Sequence, residues 1–505
     1  MSTPPSSTPV THWIAGRRHE GTGRRRGRVT NPATGRVTAE VAFAEPADVD
    51  AAVASAAAAG RAWAATTLAA RTRVLFAFRQ LLDERKDELA ALITAEHGKV
   101  RSDALGEVAR GLEVVEFACG IGHLLKGDAS TNVSSGVDVR DIRQPLGVAA
   151  VISPFNFPAM VPMWFFPIAI AAGNAVVLKP SEKDPSASLW TAELWKEAGL
   201  PDGVFTVVQG DGTAVDALVD HPDVAAVSFV GSTPIARYVY ERAAKAGKRV
   251  QALGGAKNHM VVMPDADLDA AADAAVNAGF GSAGERCMAV GVVVAVGDAA
   301  DELVAKIAAR TRSLRTGDGT GDADMGPLVT REHRDRVASY VAAGEAAGAT
   351  VAVDGRSVEP DGDANGFWLG PTLLDRVTPD MSVYTDEIFG PVLSVVRVRT
   401  YAEALELING NDHGNGTAVF TRDGAVARAF ENDVRVGMVG INVPIPVPAA
   451  FHSFGGWKSS LFGDAHAYGV DGVRFFTRAK VVTSRWPDPA AAPSGGVELA
   501  FPSTR

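Results

Sequence analysis

Cysteine is almost absent from this chain: Cys119 and Cys287 are the only two in 505 residues, too few for a framework of disulfides. Metal-ligand spacing is missing as well. The ten histidines are scattered, with no His-Glu-x-x-His run and no paired cysteines, so the sequence offers no metal centre. Long apolar runs are lacking. The most apolar stretch, residues 161–177, is interrupted by Pro162, Pro167, Gly173 and Asn174, which suits a buried helix and turn better than a membrane span. The first nine residues are polar and rich in proline and serine, without the basic start and apolar stretch of a secretory signal, so a cytoplasmic location is expected. Positive charge is not in excess either. A formal net charge of −10 argues against nucleic acid or an anionic membrane as the main partner. The arginines of residues 17–28 alternate with glycines and read as a solvated hairpin.

What is present is an ordinary globular composition, 47% hydrophobic and 21% charged, in a chain long enough for roughly three domains. Between residues 71 and 93, Val74, Phe78, Leu81, Leu82, Leu89, Leu92 and Ile93 recur at helical spacing, the stripe of a packed helix. Beyond Gly147 the pattern changes to short apolar runs, at residues 148–152, 175–178, 204–208, 224–230 and 250–253. Helical segments that begin with a proline in the first turn, residues 185–198 and 234–246, fit between them. Such an alternation predicts a parallel sheet covered on both faces and a nucleotide-binding domain. A second βα series follows Asp265, with strands expected near residues 290–296, 393–398 and 437–442, and predicts a second α/β domain. The last residues, 486–505, read as a loose tail rich in Pro, Ala, Ser and Gly.

The one GxGxxG spacing, Gly279 to Gly284, follows a helical stretch instead of a strand, so it fails as a dinucleotide loop. Phe229-Val230-Gly231-Ser232-Thr233-Pro234 is the better phosphate candidate: a strand ends at glycine, hydroxyls follow, and proline opens a helix whose free amides suit a pyrophosphate. Ser232 as a simple helix cap is the competing explanation. Cys287, in Gly284-Glu285-Arg286-Cys287-Met288, has a cation beside it that favours the thiolate; on chemistry alone it fits either a nucleophile or an inert buried thiol. Cys119 lies one helical turn from Val115 and reads as structural.

Five motifs, Ser153-Pro154-Phe155-Asn156-Phe157-Pro158, Lys179-Pro180-Ser181-Glu182, Phe229-Val230-Gly231-Ser232, Gly284-Glu285-Arg286-Cys287 and Glu387-Ile388-Phe389-Gly390-Pro391, resemble those of aldehyde dehydrogenases, in that family's order. The resemblance covers about residues 13–486. It implies an α/β fold with a Rossmann-type cofactor domain (10–126 and 145–253), an α/β catalytic domain (254–469) and a small β oligomerisation element (127–144 and 470–485), and hence a homo-oligomer. It implies Cys287 as nucleophile, with Asn156 and the Cys287 amide as oxyanion hole. For the cofactor it implies Lys179 and Glu182 at the adenosine ribose, Ser232 at the pyrophosphate and Glu387 at the nicotinamide ribose, with Ser153, Phe155, Lys183, Gly254 and Phe389 lining the same groove. A carboxylate at Glu182 would repel a ribose phosphate, so NAD is expected over NADP.

Where most hydrolytic members of that family carry Glu-Leu-Gly-Gly, this chain has Ala252-Leu253-Gly254-Gly255. Without that base, water is a poor acceptor of the acyl group, and a thiol such as coenzyme A is the natural one. Residues 251–259 and 284–288, with Gly455-Gly456-Trp457-Lys458-Ser459-Ser460 and Gly106-Glu107-Val108-Ala109-Arg110-Gly111, resemble the CoA-acylating methylmalonate-semialdehyde branch of the family. The branch implies oxidation of methylmalonate or malonate semialdehyde, with NAD and CoA, to propionyl-CoA or acetyl-CoA, carbon dioxide and NADH. Arg110 and Arg286 match the arginines that bind the substrate carboxylate, a role suited to a planar guanidinium; Arg110 as a helix-surface partner of Glu107 is the alternative. A hydrolytic semialdehyde dehydrogenase, such as one for succinate semialdehyde, is the rival enzyme, and a non-catalytic protein of the same fold the rival from another class. The first test is of the nucleophile: Cys287→Ala is expected to abolish aldehyde-dependent NADH formation while NAD still binds, and Cys119→Ala to remain active.

Overall fold

The computed structural model describes residues 9–486 and residue 490. The expected loose termini, 1–9 and 486–505, lie outside the described residues apart from Pro9, Trp486 and Ala490.

The apolar runs beyond Gly147 form the centre of an eight-stranded sheet. Strands Phe205–Val207, Ala175–Lys179, Val148–Ile152, Val224–Val230 and Arg249–Leu253 lie side by side in that order, all parallel. Their side chains are almost entirely buried, as both-face coverage requires. The edges are antiparallel: His12–Ile14, hairpinned to Arg17–His19, pairs with Phe205–Val207, and Leu461–Phe462 pairs with Arg249–Leu253. Chain order therefore reverses between Val148–Ile152 and Val224–Val230, and the crevice beyond their carboxyl ends is where such sheets take ligands.

A second, seven-stranded sheet is built on parallel strands Val392–Val398, Val290–Val296, Asn258–Val262, Gly416–Phe420 and Met438–Ile441. Arg249–Leu253 in the first sheet and Asn258–Val262 in the second are consecutive strands, so residues 254–257 carry the chain from one sheet to the other. A third, antiparallel sheet joins Thr477–Arg485, Val137–Pro145 and Ala129–Ser134. Residues 470–475, expected as part of a β element, instead belong to the short helix Gly469–Phe475.

The apolar stripe of residues 71–93 is two helices, Leu68–Glu84 and Lys86–His97. The chain turns at Arg85 (φ −113°, ψ 16°), whose guanidinium is held by Glu88 and Glu197, so that Leu82 and Leu89 both reach one core. There Phe78 stacks on Trp195 with centroids 3.7 Å apart, both fully buried. Phe78→Ala is expected to remove about 3–5 kcal/mol of stability, read as a lowered urea midpoint by far-UV circular dichroism.

Candidate functional site

Cys287 lies on the segment that links the helix Leu268–Phe280 to the strand Val290–Val296. The link is tight and strained: Ser282, Ala283 and Gly284 all have positive φ (53°, 53° and 71°), a conformation costly for the two that are not glycine. A Cβ on Gly284 would meet the Gly390 carbonyl oxygen at 2.3 Å, so glycine there is a requirement of close backbone approach. From the other side the Cys287 carbonyl accepts hydrogen bonds from Asn258 Nδ2 (2.9 Å) and Asn415 Nδ2 (3.2 Å). Helix end, strained turn and two amides together fix Cys287 in the lining of a groove of about 580 Å³.

That groove opens at the crevice beyond the carboxyl ends of Val148–Ile152 and Val224–Val230. Among the residues lining it are Ser153, Phe155, Asn156, Lys179, Glu182, Lys183, Ser232, Gly254, Glu387 and Phe389, every nucleophile-, oxyanion- and cofactor-assigned residue of the sequence together with Cys287. Ser232 begins the helix Thr233–Lys245, with Pro234 in its first turn, and makes no side-chain cap, so the simple capping explanation does not hold. Lys179 is buried, its ammonium 3.5 Å from Glu182. Lys183 sits over the Phe155 ring at 4.4 Å, and Phe155 meets Phe389 edge-on. Phe389 itself has φ 58° and its carbonyl receives His333 Nε2 at 2.7 Å.

The fit to a dinucleotide can be judged from the groove's own atoms. Ser153 Oγ is buried with no hydrogen-bond partner, a group that a polar ligand would satisfy. The helix N-terminus supplies unspent amides for an anion. Glycines keep the walls back: a Cβ at Gly255 would lie 2.3 Å from Glu387 Oε2, and one at Gly254 2.9 Å from the Ser459 carbonyl. Charge, concavity and orphan donors agree.

Asn156 is buried and spends one side-chain N–H on the Glu285 carbonyl at 3.0 Å, which leaves the other for a ligand. Burial, reinforced by the Glu387 carboxylate, pushes the Cys287 thiol up to about 12, against the amides of Cys287 and Met288 and the Arg286 cation. Burial pushes the Glu387 carboxyl up to about 7, against the Ala256 amide at its Oε1 (2.8 Å) and the Lys257 cation.

The two arginines are not brought into one pocket. Arg110 lines a small closed recess with Met160, Trp164 and Tyr468, and the Tyr468 hydroxyl feels both the Arg110 cation and Cys287. Its partners are Glu113 (2.7 Å) and the Pro448 carbonyl (2.7 Å), not Glu107. Arg286 turns the other way, to Asp103 at 2.7 Å, and lines a narrow cleft behind Cys287 with Lys257, Gly279 and Gly291. Its charge is already balanced there. Ala252 is fully buried in the apolar cluster with Val227, Phe229 and Ala236, and Gly254 and Gly255 are the residues of that segment that border the groove.

Sequence reading missed several lining residues, His333, Arg336 and Asp211 among them, which carry no local motif. It missed Lys99 and the role of Glu107 too, although a signal existed: Glu107 falls on the apolar face of the helix Arg101–Cys119, with Ala104, Val108 and Gly111.

Comparison with known proteins agrees with this geometry. The profile of the aldehyde dehydrogenase family matches residues 19–482. Malonate-semialdehyde dehydrogenase of Pseudomonas aeruginosa is 54% identical over 94% of this chain and 96% of its own length, and malonate-semialdehyde dehydrogenase 2 of Geobacillus kaustophilus 50% identical over 91% and 95%. Methylmalonate-semialdehyde dehydrogenase of Oceanimonas doudoroffii superposes with a TM-score of 0.94 at 53% identity, over 95% of this chain and 99% of that one. A Sinorhizobium meliloti protein solved with NAD, provisionally described as a methylmalonate-semialdehyde dehydrogenase, gives 0.94 at 55% identity over 96% and 99%.

Because the thiol is held neutral by burial and by Glu387, iodoacetamide should alkylate Cys287 in the cofactor-free protein at a rate still climbing past about pH 9. A rate that levels off below about pH 8 would mean that the thiolate is already formed.

Proposed function

This chain belongs to the aldehyde dehydrogenase family, and on that premise we propose that it is an NAD-dependent, CoA-acylating dehydrogenase of malonate and methylmalonate semialdehyde. The observation that carries the reading is that Cys287 and Asn156 line the same groove as the residues suited to a dinucleotide. The half and more of the sequence shared with malonate-semialdehyde dehydrogenases supports the choice of substrate.

In this reading the Cys287 thiolate adds to the aldehyde carbon. The oxygen that gains the electron pair is held by the free Asn156 N–H and the Cys287 amide, both donors fixed in advance. Bound NAD supplies the hydride acceptor. Collapse leaves an acyl thioester on Cys287. Lys179 and Glu182 would hold the adenosine ribose, Ser232 and the neighbouring helix amides the pyrophosphate, and Glu387 the nicotinamide ribose.

The second half follows from the carboxylates. Glu182, Asp211 and Glu387 are those lining the groove, and only Glu387 acts on Cys287 strongly enough to raise its thiol. One of its oxygens is already engaged by the Ala256 amide, and no glutamate stands on the segment 252–255. The thioester is therefore passed to the CoA thiolate, which forms a new C–S bond as Cys287 leaves. Loss of carbon dioxide from the β-carboxylate, before or after the transfer, leaves the electron pair as a thioester enolate that takes up a proton, and the product is acetyl-CoA or propionyl-CoA. Glu387 is also the one base on which the hydrolytic alternative rests, because a carboxyl titrating near 7 is suited to activate water.

Arg110, at the recess beside Tyr468, is the better placed of the two arginines to meet the substrate carboxylate: its pair with Glu113 is the more exposed and so the more readily exchanged, whereas Arg286 is held by the more buried Asp103. We further infer a cytoplasmic homo-oligomer. In support, the nine-residue strand Thr477–Arg485 pairs on one side only among the described residues and exposes 67% of Val481, an edge that invites a second chain.

Without CoA, a burst of NADH followed by a slow phase is expected; with CoA, faster steady turnover and acyl-CoA accounting for most of the NADH. Free acid formed at the same steady rate with and without CoA would assign the hydrolytic reaction instead. For the arginines, Arg110→Leu is expected to lower kcat/KM for malonate semialdehyde relative to propionaldehyde by about tenfold or more, and Arg286→Leu by less. Equal losses on both aldehydes would remove Arg110 from carboxylate binding.

A further inference from the structure

Behind the oxyanion residue lies a buried ion pair that no step above employs. Lys99 and Glu107 have no exposed side-chain surface, and Lys99 Nζ lies 2.7 Å from Glu107 Oε2. The ammonium gives a second hydrogen bond, at 2.6 Å, to the backbone carbonyl of Asn156, and lies 4.3 Å from the centre of the Phe157 ring. The other carboxylate oxygen, Glu107 Oε1, accepts from the backbone amides of Ala159 (2.8 Å) and Met160 (3.1 Å). The pair thus grips the segment 156–160 on both sides of Pro158: the cation takes the carbonyl at one end, the anion takes the amides at the other.

We propose that the Lys99–Glu107 pair is the positioning element of the oxyanion site, setting the direction of the free Asn156 N–H through the backbone of residues 156–160. The inference rests on the oxyanion role assigned to Asn156. Stability does not by itself account for the arrangement, because a buried ion pair replaced as a whole by apolar side chains is often neutral or stabilising, whereas loss of one partner strands a buried charge. What apolar replacements cannot supply is three hydrogen bonds, charge-assisted and aimed at named backbone atoms, from the carbonyl of Asn156 itself to the amides three and four residues beyond it. A donor that must meet a developing oxyanion gains its effect from such fixed placement.

The test compares Asn156→Ala, the paired replacement Lys99→Met with Glu107→Leu, and all three substitutions together, in the full chain without cofactor. Two probes of Cys287 are used. With p-nitrophenyl acetate, Sγ bonds to the acetyl carbon, an oxyanion forms and collapses, and p-nitrophenolate leaves; its burst rate is measured. With iodoacetamide, Sγ displaces iodide at a saturated carbon and no oxyanion forms.

The paired replacement is expected to slow the burst by about tenfold or more, as Asn156→Ala does, with alkylation within about twofold of native. The triple variant should be no more than about twofold slower than Asn156→Ala, since both act through one donor. A native burst in the paired replacement, equal loss of burst and alkylation, or a triple variant that multiplies the two losses overturns the proposal while leaving Asn156 in its role. A native burst in Asn156→Ala removes that role, and the proposal with it. If the paired replacement does not fold, Glu107→Gln decides: a slower burst at native alkylation supports positioning, and a native burst overturns it.

Discussion

The site is organised around a conflict in solvation. A thiol that is to form a thioester must be kept from competing water, yet the same shielding opposes its ionisation. At Cys287 burial and the Glu387 carboxylate push the thiol up to about 12, and two backbone amides with the Arg286 cation pull the other way. Ionisation therefore depends on what enters the groove. Around it Arg286 is balanced by Asp103, Lys179 by Glu182 and Lys99 by Glu107, whereas Glu387 is met by the Ala256 amide and Lys257 by backbone carbonyls.

Geometry is the second constraint. Two sheets that share no hydrogen-bonded strand must deliver Cys287 and Asn156, the proposed nucleophile and oxyanion donor, to one groove. The first sheet contributes Asn156 through the loop beyond Val148–Ile152, and the second contributes Cys287 through the turn before Val290–Val296. They meet where Asn156 Nδ2 reaches the Glu285 carbonyl. The left-handed run Ser282 to Gly284 is what brings the second partner near, and its strain is held by Asp103, which accepts from the Ser282 amide at 2.8 Å. Backbone strain of this kind persists only where its surroundings over-determine it.

Much of this was legible in the sequence, and for physical reasons. Strands buried on both faces are continuous apolar runs, so the parallel sheets announced themselves; the strand–glycine–hydroxyl–proline run at residues 229–234 marked the helix that opens on the groove. Cys287, Asn156 and the residues assigned to the cofactor were singled out through motif resemblance, and they line one groove; short motifs can mark them because each sits in or beside a local backbone turn. The break at Arg85 was hidden, since an apolar stripe continues across a turn when both helices face one core. The direction of Arg286 was hidden too: its partner Asp103 is 183 residues away, and no periodicity relates them. Position 252 was read only as lacking a glutamate; its packing into the helix layer, with Ala236 and Val239, was not legible in the motif.

The helix Arg101–Cys119 has a wider significance than its length suggests. Asp103 touches the nucleophile's turn, Glu107 the oxyanion segment and Arg110 the recess by Tyr468, three contacts spaced along one rod at intervals of four and three residues. A rod does not bend to suit one contact at a time. Tilting or sliding it would shift all three parts of the site together, so its packing face is under joint constraint. Selectivity in such a scaffold changes most readily by exchanging a side chain in place, and least readily by moving the backbone that bears it. The same coupling gives distant core substitutions along this helix a route to the chemistry, with no contact to any reacting atom.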